Sequence, residues 1–163
     1  MSDNKTIQLK IATPERLILE LEVDQVSLPT RLGEITILPN HIPLVTALDF
    51  GEMLAKKGTE DIPFAIWGGF AEIADNRVIV LADVAEFAPA IEIDKVEVAK
   101  KNAEDLMAKK GEFSPVEYEE LIYGYEKQVA QLKVAQKYKA KKYRALYNIK
   151  DANYLKSEGK SEE

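Results

Sequence analysis

The sequence predicts an α+β chain: an N-terminal antiparallel β-sandwich or flattened barrel followed by a C-terminal antiparallel α-helical hairpin. Three observations predict it. Residues 5 to about 88 fall into short alternating apolar runs separated by turn chemistry. The composition changes abruptly after Pro89. From there on, apolar residues recur at spacings of three and four instead of two. The expected divisions are a sandwich over 1–88, a hairpin over 89–150 with helices at about 94–109 and 115–146, and a disordered polar tail over 151–163.

Ile7, Leu9 and Ile11 alternate and stop at Thr13-Pro14; Leu17, Leu19, Leu21 and Val23 alternate again, and Val26-Ser27-Leu28 ends at Pro29. The sixteen residues from Gly33 to Leu48 then hold two prolines and the only histidine. Ile35 and Ile37 read as a half-buried strand, and Pro39 and Pro43 each remove a ladder donor and fix the backbone. Leu38 and Ile42, each preceding a proline, are pushed towards extended conformations. The result is a stiff apolar corner that cannot continue a sheet and suits packing against another surface. Gly51-Glu52-Met53-Leu54, a turn at Lys56-Lys57-Gly58, Phe64-Ala65-Ile66 and Ala71-Glu72-Ile73 follow. Asp75-Asn76-Arg77 is a hairpin turn into Val78-Ile79-Val80-Leu81.

Past Pro89, Asp94 is the expected N-cap of a first helix, with Glu97 completing a capping box. Val96, Ala99, Ala103 and Leu106 form its apolar stripe, and Gly111 is the expected left-handed stop. Ser114, Pro115 and Glu117 mark a second start. Tyr118, Ile122, Tyr125, Val129 and Leu132 continue the second stripe, which lapses into Lys, Tyr, Gln and Ala, so the distal half is expected to lack a partner. Gly124 inside that helix costs about 1 kcal/mol relative to alanine and points to close helix contact or a bend.

Charge and composition limit the chemistry. With no cysteine and one histidine, thiolate and multi-histidine metal sites are excluded. His41 reads as a turn histidine satisfied by a carbonyl, and Gly68-Gly69 as a tight turn, since no P-loop lysine follows. No nucleophile, base and oxyanion set can be assembled, so no catalytic residue is expected. The net charge of −6 conceals an asymmetry: eight basic and no acidic residues lie between Lys127 and Lys150, leaving −14 on the remainder. An acidic body with a basic arm seeks an anionic partner. On these features alone, a nucleic-acid-binding or adaptor module is the alternative, although the acidic β-domain argues against nucleic acid. The N-terminus shows no apolar leader, and no run approaches the length of a membrane span.

Two longer stretches resemble a known family. Gly33-Glu34-Ile35-Thr36-Ile37-Leu38-Pro39-Asn40-His41-Ile42-Pro43-Leu44-Val45-Thr46-Ala47-Leu48 and Gly68-Gly69-Phe70-Ala71-Glu72-Ile73, the latter followed by Val78-Ile79-Val80-Leu81-Ala82-Asp83-Val84-Ala85, are similar to runs in the ε subunit of F-type ATP synthases, called δ in mitochondria. The resemblance implies a non-catalytic rotor subunit of the central stalk that couples ion-driven rotation of the c-ring, through the γ subunit, to ATP synthesis. It implies that Pro39, His41, Pro43 and Leu44 face γ, and that Thr30, Arg31 and Leu32 approach the c-ring. It further implies that the basic helix, with Lys133, Lys137, Lys141, Lys142 and Arg144, reaches the α and β subunits and restrains ATP hydrolysis. Some relatives bind ATP at the hairpin; the corresponding position here is Asp94, but Glu97 stands where an arginine is needed and Val98 where an alanine is, so no cofactor is expected. Membrane association would come only through the complex, at the cytoplasmic face of a bacterial plasma membrane or the stromal face of a thylakoid.

Overall fold

In chain order, the strands are β1 (Ile7–Ala12), β2 (Leu17–Val23), β3 (Gln25–Thr30), β4 (Gly33–Ile37), β5 (Leu44–Ala47), β6 (Gly51–Lys57), β7 (Glu60–Trp67), β8 (Phe70–Ala74), β9 (Arg77–Leu81) and β10 (Val84–Phe87). A 3-10 turn at Ala88–Ala90 leads into α1 (Ile93–Met107), and a second at Lys110–Glu112 leads into α2 (Pro115–Lys139). These elements come from a computed structural model that describes residues 5–139. The expected end of the second helix near residue 146 and the tail lie outside the described residues.

The strands make two five-stranded sheets, ordered β2-β1-β9-β8-β5 and β10-β7-β6-β3-β4. All pairings among the described residues are antiparallel except β1 with β9, where Gln8 lies opposite Arg77 in a parallel register. Alternation does the folding: Leu9, Ile11, Val78, Val80, Ala71 and Ile73 of the first sheet face Val26, Leu28, Met53, Phe64 and Ile66 of the second in one buried core. Turn chemistry sets the connections. Asp75 and Asn76 take φ of 49° and 60°, the pair of left-handed residues a two-residue hairpin needs. Gly69 has φ +91°, and a Cβ there would overlap the Leu81 carbonyl oxygen and lie 2.7 Å from Ala82 Cα. The double glycine is thus a close backbone crossing, as a tight turn requires.

Strand β7 has both faces buried from Ile62 to Trp67. Ile62, Phe64 and Ile66 join the sandwich core, while Ala65 and Trp67 join a second cluster with Ala88, Val134 and Tyr138. The second sheet is therefore covered by α2, giving three layers in the order first sheet, second sheet, helices.

The helices differ from expectation in three places. Glu92, not Asp94, occupies the N-cap of α1, without a side-chain cap bond; Asp94 lies within the first turn, so no capping box forms there. The short-range competitor is the Lys95–Glu92 ion pair at 2.7 Å. Gly111 has no left-handed φ, because α1 ends in a right-handed Ala108 and passes into a 3-10 turn. Around Gly124, nothing lies within 4 Å of a would-be Cβ, so the close-contact explanation fails. By contrast, the second start signal is realised: the Ser114 N–H donates to Glu117 Oε2 at 2.8 Å, and the Glu117 N–H donates to Ser114 Oγ at 3.3 Å.

Two glycine substitutions should act in opposite directions. Gly69→Ala should cost more than about 3 kcal/mol, whereas Gly124→Ala should stabilise by about 0.5–1 kcal/mol; urea unfolding of each variant measures both, and a neutral Gly69→Ala would refute the crossing. The Glu117 carboxyl is held below its ordinary 4.5, first by the Ser114 side chain and then by the Ser114 backbone N–H. Its contribution to the helix start is complete above the ordinary value and is lost as pH falls through the lowered one. Ser114→Ala should raise the Glu117 pKa in an NMR titration, and an unchanged titration would reject the cap.

Candidate docking surfaces

The corner after β4 is built by its prolines and one local turn. The His41 N–H donates to the Leu38 carbonyl at 3.2 Å, and His41 Nδ1 donates to the Ile42 carbonyl at 2.6 Å. The side-chain bond fixes the Nδ1–H tautomer and holds the ring against its own backbone, as the turn reading expects. Pro39, His41 and Leu44 are half-buried and Pro43 is exposed; Leu38 and Ile42 stand out at 54% and 75% exposure. The other expected contact, the β3–β4 turn, is closed by Thr30, whose hydroxyl donates to the Gly33 carbonyl at 2.6 Å and accepts from the Leu32 N–H at 3.3 Å. Thr30 is buried by this role, whereas Arg31 is exposed and Leu32 fully so, at the tip. The corner and the turn occupy opposite ends of β4, on the order of 15 Å apart along the strand.

The first sheet carries a further surface that reading strand by strand missed. On the outer face of the first sheet, register places Ala47 beside Phe70, Phe70 beside Leu81, Leu81 beside Ala12 and Ala12 beside Leu17. This apolar row crosses all five strands, with Phe70 and Leu81 at 60% and 56% exposure and Val45, in the next row, at 69%. Contiguous exposed apolar residues of this kind mark an interaction surface. The signal was present: if Ala71, Ile73, Val78 and Val80 face inward, then Phe70 and Leu81 must face out.

The basic arm is placed differently from its expectation. Rather than lacking a partner, the distal part of α2 buries Gln131, Leu132, Val134, Ala135 and Tyr138, with Val134 and Tyr138 against the second sheet. Lys137 makes two contacts to the Glu52 carboxylate, at 3.0 and 2.7 Å, and the Tyr138 hydroxyl donates to the same carboxylate. Gln131 donates to Glu86 at 2.5 Å, and the Lys127 ammonium stands 5.0 Å from the Trp67 ring centroid. Lys133 is exposed and lines, with Glu34, Phe50, Glu52 and Tyr125, a groove of about 600 Å³ between helix and sandwich. Lys141, Lys142 and Arg144 lie outside the described residues. The missed signal was the unbroken apolar run Ile62-Pro63-Phe64-Ala65-Ile66-Trp67, which implies a strand covered on both faces.

Asp94 and Glu97 are exposed on α1. Two carboxylates on that surface oppose a polyphosphate. Among the described residues, no cluster of His, Cys, Asp or Glu could hold a metal ion, and no helix is long and apolar enough to cross a membrane.

Comparison with known proteins supplies the family context. The beta-sandwich domain of the ATP synthase Delta/Epsilon chain matches residues 6–88. The chain is 49% identical over 104 residues to the ATP synthase epsilon chain of Dehalococcoides mccartyi, covering 64% of this chain and 74% of that one. It is 42% identical over 107 residues to the epsilon chain of Desulforamulus reducens, covering 66% and 81%. A chain in the Euglena gracilis mitochondrial ATP synthase structure of OSCP, F1 and c-ring has the same fold, with a TM-score of 0.68 at 21% identity over 79% of this chain and 82% of that one.

The clasp at Glu52 sets how firmly α2 rests on the second sheet. Glu52→Ala removes the acceptor of both Lys137 and Tyr138 and should weaken helix docking by about 1–2 kcal/mol. Because Trp67 is the only tryptophan and lies beneath α2, its emission should shift to the red and become more open to acrylamide quenching. Wild-type emission and quenching in the variant would show that the clasp does not hold the helix.

Proposed function

The chain belongs to the ATP synthase delta/epsilon chain family, and we propose that it is the non-catalytic central-stalk subunit that links the c-ring to γ and so couples ion flow to ATP synthesis. The similarity over the whole sandwich carries this reading. In it, residues 1–88 form the docking unit, residues 89–150 the regulatory hairpin, and residues 151–163 a tail. The subunit sits at the cytoplasmic face of the plasma membrane and is held there by the complex.

The γ-facing surface is the corner of Pro39, His41, Pro43 and Leu44 together with the apolar row through Phe70 and Leu81. A rigid apolar patch fits a permanent subunit contact better than a catalytic site, since it supplies burial without the convergent polar groups that chemistry needs. The c-ring contact is the turn of Thr30, Arg31 and Leu32, where one cation and one bare leucine project from a hydrogen-bonded turn. The separation of these contacts along β4 lets one sandwich touch two partners at once.

The hairpin is the inhibitory element. In the described arrangement α2 lies on the second sheet, and Lys127 and Lys137 spend their charge on the sandwich. Release would free those two cations to join Lys133 and the basic sequence that continues through Lys141, Lys142 and Arg144 in meeting acidic surfaces of the α and β subunits. A nucleic-acid role loses force for the same reason, because two of its cations are already engaged. ATP has no part in this reading, given the carboxylate of Glu97 where the polyphosphate would need an arginine.

The test is ATP hydrolysis by an α₃β₃γ complex with the full chain and with a version ending at Ala90. Both should bind, and only the full chain should suppress turnover, by several-fold. Failure of both to bind would sink the docking reading; equal turnover would sink the inhibitory one.

A further inference from the structure

Asn76 joins three separated parts of the sandwich. It holds the second position of the β8–β9 turn at φ 60° and is half-buried. Its carbonyl accepts from the Gln8 N–H at 3.1 Å, its Nδ2 donates to the Thr6 carbonyl at 2.5 Å, and its Oδ1 accepts from the Asn40 N–H at 3.0 Å. The orientation of the amide follows from its partners, since a carbonyl can only accept and an N–H can only donate. One side chain therefore bridges the start of the chain to the corner, with a different atom serving each.

Asn40 is the centre of that corner. It lies between Pro39 and His41, belongs to no strand, and takes φ 64°. The prolines stiffen the corner internally, but stiffness does not fix it to the sheet beside it. The neighbouring Ile42 and Leu38 are exposed apolar residues whose usefulness to a partner depends on where the corner points. A stiff element on a loose mount must be ordered at binding, which costs affinity.

We propose that Asn76 is the positioning residue of the docking corner: through Asn40 it holds Leu38, Ile42 and Pro43 in line with the apolar row of the first sheet, ready for γ. This rests on the docking reading above. Asn76 itself touches no partner; it acts through the Asn40 backbone. The side chain at this position must combine a left-handed backbone, which asparagine tolerates better than most residues, with an acceptor reaching Asn40.

Substitutions separate these requirements. Asn76→Gly keeps the backbone angle and removes the amide; Asn76→Asp keeps the acceptor for Asn40 and loses the donor to Thr6. Asp24→Ala is the comparison, for it removes a similar tie, from the Gly58 N–H to Asp24 Oδ2 at 2.5 Å, away from the corner. Each is made in the full chain and read by hydrogen exchange of the Asn40 amide and by affinity for the α₃β₃γ complex. Asn76→Gly should speed exchange and weaken binding, each by about tenfold. Asn76→Asp should stay within about threefold of wild type in both, and Asp24→Ala should change neither.

The proposal is overturned if Asn76→Gly exchanges or binds like wild type, if Asn76→Asp is as weak as Asn76→Gly, or if Asp24→Ala matches it. A wild-type chain that fails to bind brings down the docking reading, and the positioning role with it. That result differs from failure of the tie alone, in which wild type and Asn76→Gly bind equally well.

Discussion

The arrangement depends on β7 being covered on both faces. Alternate residues of that strand serve two interiors: Ile62, Phe64 and Ile66 close the sandwich, and Ala65 and Trp67 receive α2. Burial of large apolar side chains dominates such packing, at about 25 cal/mol per Å² of apolar surface, so the hairpin cannot be treated as an appendage. Its place is set by what the second sheet would otherwise expose. The interface is not optimised throughout, however. The Trp67 indole N–H meets no acceptor among the described residues, a defect that costs about 1–3 kcal/mol. Part of the hold comes instead from Lys137 and Glu52, a pair whose lysine is 58% exposed and therefore screened by salt. A helix held by moderate burial, one polar defect and a half-exposed ion pair is well seated yet releasable.

The two sheets have consequently divided their outer faces. That of the second is occupied by the protein's own helix; that of the first carries the bare row through Phe70 and Leu81. A partner on the first sheet would not need to displace the hairpin. Among the polar contacts, Glu52 and Glu86 of the second sheet meet α2, Thr30 of the same sheet closes the β3–β4 turn, and Asn76 of the first sheet's hairpin turn is tied to the corner.

Most strands were legible because their alternation is local: Ile7, Leu9 and Ile11 need only a two-residue period to declare a face. The Asp75-Asn76 turn and the Ser114–Glu117 box were equally legible, since both depend on residues within three positions of one another. What escaped notice required knowing what lay across space. The apolar row of the first sheet is set by inter-strand register, which joins Leu81 to Ala12 across the chain. The docked half of α2 looked polar because Val134, Ala135 and Tyr138 are interleaved with lysines that snorkel over the sandwich. The failed cap at Asp94 has the opposite cause: the local pattern was right, but an adjacent Glu92–Lys95 pair and the entering 3-10 turn moved the helix start. The corner at Pro39 and Pro43 and the turn before Gly33 were legible as local structure, since prolines and turn residues act on their own neighbours. The tie from Asn76 to Asn40 spans 36 positions and was not.

The parallel register of β1 with β9 has a consequence for biosynthesis. Gln8 waits for Arg77, and during translation at about 5–20 residues per second that delay is several seconds. Until then β1 can pair only with β2, in a ribbon too small to be stable by itself, even though β3, β4, β6 and β7 of the opposing sheet have already been made. The first sheet thus closes late, around its own earliest strand, and closure across so long a loop is slow. Emergence from the ribosome is the period in which Ile7, Leu9 and Ile11 are most open to wrong partners, and a chaperone would find its purchase there.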